Sequence, residues 1–161
     1  MNDRDVIAST EVAGRQLTLR IRTDDDVCPD AASEWEQWDR TDVVPGEHQR
    51  AVVLLDGVII GTMSWHAVFY GPTMGSRAWS MGIGLAPKWR GQGWGTQAQR
   101  LLADALLESA CRVEASTDID NIAEQRSLER AGFSREGILR QAQARADGQH
   151  DLVMYARTRD R

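Results

Sequence analysis

Cysteine is scarce in this sequence. Cys28 and Cys111 are the only two, they stand far apart, and no C-x-x-C pair exists, so a structural zinc site is excluded on spacing. In a reducing compartment both remain free thiols. No apolar run approaches the roughly 18 residues that a membrane helix needs. The longest are short, such as Ala51–Leu55. The opening Met1-Asn2-Asp3-Arg4-Asp5 has no apolar secretory stretch, which predicts a cytoplasmic protein with no membrane partner. Basic charge is in deficit too. Nineteen Lys and Arg against 24 Asp and Glu leave a net charge of −5, the wrong sign for a chain whose main partner is nucleic acid. Lysine is represented by Lys88 alone, and no functional consequence follows from that.

What remains is ordinary for a globular protein. The 161 residues are 42% hydrophobic and 27% charged, which predicts one domain over 1–161. The acidic excess is concentrated in Asp24-Asp25-Asp26, Asp30, Glu34, Glu36, Asp39, Asp42 and Glu47, whereas the C-terminal third is rich in arginine.

Hydrophobic period divides the chain. Leu17, Leu19 and Ile21 alternate with polar neighbours, as a half-buried strand requires. Asp30–Arg40 reads as a short helix with Trp35 and Trp38 three apart on one face. Ala51–Leu55 and Val58–Ile60 flank Asp56-Gly57, a tight-turn dipeptide that predicts a hairpin whose second strand runs on to Phe69. Trp79–Leu85 is the next strand. Thr96–Leu107 then shifts to helical spacing through Ala98, Leu101, Leu102, Ala105 and Leu106. Arg112–Ser116 reads as a strand. Asn121 with Glu124 has the spacing of a capping box, opening a helix that ends at Gly132-Phe133. Ile138–Ala144 and Leu152–Arg157 complete the pattern around Asp147-Gly148. Hairpins mixed with crossover helices predict a mixed sheet covered by helices.

The stretch with most chemistry is Arg90-Gly91-Gln92-Gly93-Trp94-Gly95-Thr96, between a strand and a helix. Glycines let backbone approach a ligand closely, and a helix start offers unpaired N–H groups and partial positive charge to a pyrophosphate. A plain glycine-rich turn has the same spacing. Two familiar phosphate loops are excluded: no lysine follows in register for G-x-x-x-x-G-K-[ST], and the glycines read G-x-G-x-G rather than G-x-G-x-x-G.

Arg90 to Gly95 resembles the R/Q-x-x-G-x-G/A signature of the GNAT acetyltransferase superfamily. Asn121, followed by Ser127-Leu128-Glu129-Arg130-Ala131-Gly132-Phe133, resembles that family's N-x-x-x-x-x-x-L-E-K-x-G-F segment at its usual distance. Glu136-Gly137-Ile138-Leu139-Arg140 and Asp151-Leu152-Val153-Met154-Tyr155 are similar to the branch of ribosomal-protein alanine N-acetyltransferases. The resemblance spans about Leu17 to Arg157.

It implies an α/β fold of the α+β kind: a mixed, mostly antiparallel sheet of about seven strands, splayed between the fourth and fifth, with about four flanking helices. It implies acetyl-coenzyme A (acetyl-CoA) as cosubstrate. Ile83, Gly84 and Leu85 would bond the pantetheine amides, and Arg90, Gly91, Gln92, Gly93, Trp94, Gly95 and Thr96 would hold the pyrophosphate. Asn121 would reach the pantetheine arm, and Arg126 the adenosine end. A plain helix cap and a solvated surface residue are the respective alternatives for these two. No metal is implied. The expected activity is acetyl transfer to a primary amine, either a small molecule or a protein N-terminus, by a monomer or homodimer. The alternative is a non-catalytic coenzyme A-binding module.

The sequence departs from the family at its acid–base positions. Leu128 stands where many relatives carry a tyrosine, Glu124 where the ribosomal-protein branch has serine, and Gln143 where it has glutamate. Glu124 and Tyr155 are the catalytic candidates, with His66, His48 and Asp151 behind them and water-relayed deprotonation as a further route. The acidic stretch from Asp24 to Glu47 could steer a protonated amine, with Trp35, Trp38, Trp65 and His66 offering flat surfaces to it.

Overall fold

In the computed structural model, residues 5–36 and 47–159 are described. They form one eight-stranded sheet in the order β1-β2-β3-β4-β5-β6-β8-β7. The strands are β1 (Val6–Val12), β2 (Arg15–Ile21), β3 (Gln49–Leu55), β4 (Val58–Phe69), β5 (Arg77–Leu85), β6 (Arg112–Asp118), β7 (Ser134–Arg145) and β8 (Gly148–Thr158). All neighbours are antiparallel except β5 and β6. Two α-helices accompany them, α1 (Trp94–Leu107) and α2 (Ile122–Arg130). No described helix is long and apolar enough to cross a membrane.

Three expectations need correction. The sheet has eight strands because Val6–Val12 pairs with β2 through a turn at Ala13-Gly14, both at positive φ. Its weak alternation of small and polar residues hid it. The segment expected as a helix from Asp30 to Arg40 shows, in its described part, only a single 3-10 turn at Glu34–Glu36. Trp38 lies outside the described residues. Two α-helices among the described residues replace the expected four or so, the remaining helical turns being single 3-10 turns such as Pro87–Trp89.

The hairpin turn at Asp56-Gly57 takes positive φ at both residues, as a primed turn requires. Asp56 is further fixed by Arg15, whose Nε donates at 2.7 Å, and by the amide of Gln16 at 2.8 Å. The core lies between α1 and one face of the sheet, built on Leu17, Leu19, Val53, Leu55, Ile60, Leu102 and Val113, all fully buried. Leu128 and Phe133 close it beneath α2, whose end follows the expected C-cap: Gly132 has φ +93° and the Phe133 amide donates to Leu128 O at 3.0 Å.

The sheet positions the site through one defect. β5 and β6 pair only at Trp79–Val113 and Ser80–Glu114, and beyond these residues the two strands part. The divergence leaves strand edges from Met81 to Leu85 and from Ala115 to Asp118 facing a gap.

Candidate functional site

The gap opens into a cleft of about 630 Å³. One wall is β5 from Met81 to Leu85. The other is β6 from Ala115 to Asp118, continued by Asn121, the N-cap of α2, and by Glu124, Arg126, Ser127 and Arg130 of α2. Ala31, Ser33, Glu34 and Trp35 form a third side, and Gly91, Gly93, Gly95, Thr96 and Gln99 close the end.

That end leaves backbone amides open to the cleft. Gly91 and Gly93 have φ of +72° and +86°, a region L side chains rarely adopt. Gly93 is the N-cap of α1, makes no side-chain cap, and is followed by no acidic residue in the first turn. The amides of that turn therefore have no helical partner and carry the positive end of the helix dipole. Gly95 lies against Leu85 and Ile83, where a Cβ would come within 3.5 Å of Leu85 Cδ1, so helix and strand meet closely. Arg126 and Arg130 add exposed positive charge along the same cleft.

Several residues singled out from sequence take other positions. Arg90 lines the cleft, but its guanidinium is turned to backbone carbonyls: Nε donates to Leu85 O at 2.8 Å, and Nη2 to Ala31 O at 3.0 Å and Ala32 O at 2.9 Å. Gln92 is turned away from the cleft lining and donates to Lys88 O at 2.8 Å. Trp94 is buried in the core with the Arg15 guanidinium over its ring. Trp65 is likewise core, and of the described tryptophans only Trp35 lines the cleft. His66 packs its ring 4.7 Å from that of His48, outside the cleft lining. Burial, then the neighbouring His48, lowers its pKa, with Glu114 acting the other way. Within the acidic stretch Asp26 is committed to Arg20 and Asp30 to the Ala32 amide, which leaves Glu34 as the described carboxylate of that stretch on the cleft.

Asn121 caps α2, accepting from the Glu124 amide at 3.2 Å, and its Nδ2 donates to Thr117 Oγ1 at 3.1 Å. The expected capping box is only half made. Glu124 does not return to Asn121; its carboxylate accepts from the Gln99 amide across the cleft floor. Gln99 Oε1 in turn accepts from Ser127 Oγ at 2.8 Å, and Ser127 is 2.9 Å from Thr96 Oγ1. A chain of polar side chains thus runs from the first turn of α1 to the Glu124 carboxyl. Burial pushes that carboxyl up to about 7, against the opposing pull of the Gln99 bond. That range lets Glu124 exchange a proton near neutral pH.

Tyr155 is buried on β8 and is not among the lining residues. Its hydroxyl donates to Glu129 Oε1 at 3.1 Å. Tyr155→Phe is therefore expected to change turnover less than about threefold, well below the loss expected for a general acid. Steady-state rates of the purified variant check this. Sequence reasoning gave no role to Gln99, a buried helix residue whose polarity among apolar neighbours was the available signal. It also missed the buried Asp118–Arg145 ion pair at 2.8 Å that closes the far end of the cleft and lends Gln143 its partner. A second cavity of about 620 Å³, walled by Tyr70, Ile138, Leu139 and Met154, shares no lining residue with the cleft.

Comparison with known proteins adds to this geometry. A family model described as an acetyltransferase (GNAT) domain matches residues 2–134. No curated protein matches the sequence. Among solved structures, RimJ of Mycobacterium smegmatis in complex with a CoA-disulfide is 24% identical, with a TM-score of 0.62 over 69% of this chain and 53% of that one. RimL, a ribosomal-protein alpha-N-acetyltransferase solved with coenzyme A, is 25% identical with a TM-score of 0.61, over 69% and 62% of the two chains. An acetyltransferase from Salmonella typhimurium that modifies the N-terminal serine of a 50S ribosomal subunit protein is 25% identical, with a TM-score of 0.60 over 71% and 66%. The chain thus spans between about half and two thirds of the length of these relatives.

Proposed function

The chain belongs to the GNAT acetyltransferase family, and from that premise we propose that it transfers an acetyl group from acetyl-CoA to a primary amine. The observation that carries this reading is the cleft between β5 and β6. It opens one residue past their last pair and ends on the uncapped first turn of α1. A long, amide-bearing, diphosphate-tailed cosubstrate fits both features. Unpaired strand edge suits pantetheine amides, and open helix amides suit a diphosphate. Arg126 and Arg130 supply charge at the outer end. The relatives solved with coenzyme A or a CoA-disulfide support the same cosubstrate.

Acetyl-CoA supplies an acetyl group already activated as a thioester. The protein's tasks are then three. An amide on the open edge of β5 would donate to the carbonyl oxygen as negative charge gathers there. Glu124, protonated up to about pH 7, donates a proton to the departing sulfur as the C–S bond breaks and the C–N bond forms. The proton released by the attacking ammonium leaves through water. Glu34 and Trp35 on the third side suit a cationic acceptor by charge and by ring face.

Thiol release from acetyl-CoA against a panel of amines and short peptides, together with calorimetry of coenzyme A binding, tests the reading. Coenzyme A binding with thiol release stimulated by at least one acceptor supports it. Binding without any stimulation identifies a non-catalytic module, and absence of binding overturns the reading altogether.

A further inference from the structure

Arg90 opens the glycine-rich loop, where its charge suits a diphosphate, yet its side chain points elsewhere. Its guanidinium spans two pieces of the cleft wall. On one side it takes Leu85 O, the last carbonyl of β5. On the other it takes Ala31 O and Ala32 O, at the root of the segment that presents Ser33, Glu34 and Trp35 to the cleft. That segment belongs to no strand. Its internal support is the single 3-10 turn at Glu34–Glu36 and two short-range bonds, Ala32 N to Asp30 Oδ1 and Trp35 N to Ser33 Oγ. Among the described residues, the Arg90 bonds are the only hydrogen bonds joining residues 27–36 to the sheet. Ala31 also lies close over β5, since a Cβ at Gly84 would stand 3.2 Å from Ala31 Cβ.

We propose that Arg90 is a positioning residue that fastens the acceptor-side segment 31–35 to the cofactor-side loop, so that seating coenzyme A on residues 91–96 stiffens the wall that receives the amine. The planar fork of arginine is needed because three carbonyls in fixed places must be met by one group; lysine has the charge but not the fork. By linkage, the factor by which coenzyme A raises acceptor affinity through this wall is the factor by which an acceptor raises coenzyme A affinity. The coupling rests on the function proposed above. The tie itself does not.

Amide hydrogen exchange on wild type, Arg90→Lys and Arg90→Gln separates the two. In ligand-free protein, residues 31–36 are expected to exchange about tenfold faster in both variants, while Ala51–Leu55 in the central strand β3 keep their wild-type rates. By calorimetry, coenzyme A affinity in Arg90→Lys is expected to stay within about threefold, and coenzyme A is expected to slow exchange at 31–36 in wild type but not in the variant. Unchanged exchange at 31–36 in ligand-free Arg90→Lys overturns the tie. So does normal behaviour of Arg90→Lys paired with a loss of coenzyme A affinity beyond tenfold in Arg90→Gln, which is the pattern of a charge acting on the diphosphate. A wild type that takes no coenzyme A defeats the proposed function and the coupling, and the ligand-free comparison still decides the tie.

Discussion

Glu124→Gln is expected to lower turnover by about 10- to 100-fold while making the protein more stable at alkaline pH. Both effects come from one carboxyl held at about 7, up from an ordinary 4.5, chiefly by burial. In the unfolded chain Glu124 loses its proton near the ordinary value, whereas in the fold it keeps it to about 7. Between those two pH values the native state binds more protons than the unfolded one, so stability falls as pH rises. Below the lower value the cost is absent, and above the upper one it is complete, at up to about 3 kcal/mol. Gln keeps the shape and the acceptor oxygen that Gln99 uses, but never ionises. The variant should match wild type near pH 4 and exceed it at pH 8 in urea unfolding. On the kinetic side, the wild-type rate should decline at alkaline pH as the donor empties, and that limb should disappear in the variant. A variant with wild-type turnover and an unaltered pH profile would show that solvent, not Glu124, protonates the sulfur.

The arrangement around Glu124 explains why such a cost persists. Gln99 is a polar side chain buried in the core face of α1 and bonded on both sides, to Glu124 and to Ser127. The chain of polar groups ends at Thr96, in the first turn of α1. Helix register, the first turn of α1 and the Glu124 carboxyl are thereby held in one geometry. Sites of this kind trade stability for placement.

What the sequence revealed and what it hid divides along physical lines. The β3–β4 hairpin, α1, α2 and its glycine cap were legible because short-range chemistry sets them: Asp56-Gly57 turns, Asn121 caps, Gly132 stops. The parting of β5 and β6 was not readable from the residues of either strand. Both look like ordinary strands, and the split depends on which partner each finds; only the resemblance to relatives supplied it. Side-chain direction was hidden as well. Arg90, Trp94 and Trp65 carry the residue types of a binding site, but carbonyls nearby or apolar contact in the core claim them first. Glu124, at capping-box spacing, leaves the return bond to Asn121 unmade and turns instead to Gln99 in the cleft. Local motifs state which bonds are available. Tertiary neighbours decide which are made.

Gly61→Ala is expected to be among the most damaging small substitutions in the chain, at about 3 kcal/mol and roughly 6–12 °C in Tm. Gly61 lies on β4 opposite Leu85, beside a register shift in the β3–β4 ladder. A Cβ there would stand 2.3 Å from Gly84 O, 2.6 Å from Leu85 Cδ2 and 2.9 Å from Leu85 Cα. Two of those three atoms are backbone of the cleft wall, so no rotamer change relieves the contact and β5 itself must move. This differs from Gly91 and Gly93, where space is open and the demand is for positive φ. Alanine at Gly93 should cost only about 1 kcal/mol, with its effect confined to the first turn of α1. At Gly61 the displaced strand end carries Leu85 O, the anchor of Arg90, and the open edge that faces the cleft. Thermal unfolding and coenzyme A calorimetry on the folded variant should therefore report together, with Tm falling and affinity dropping at least tenfold. A Tm within about 2 °C of wild type would mean that β4 and β5 can separate freely at this point, and a wall that yields so easily could not hold the cleft in shape.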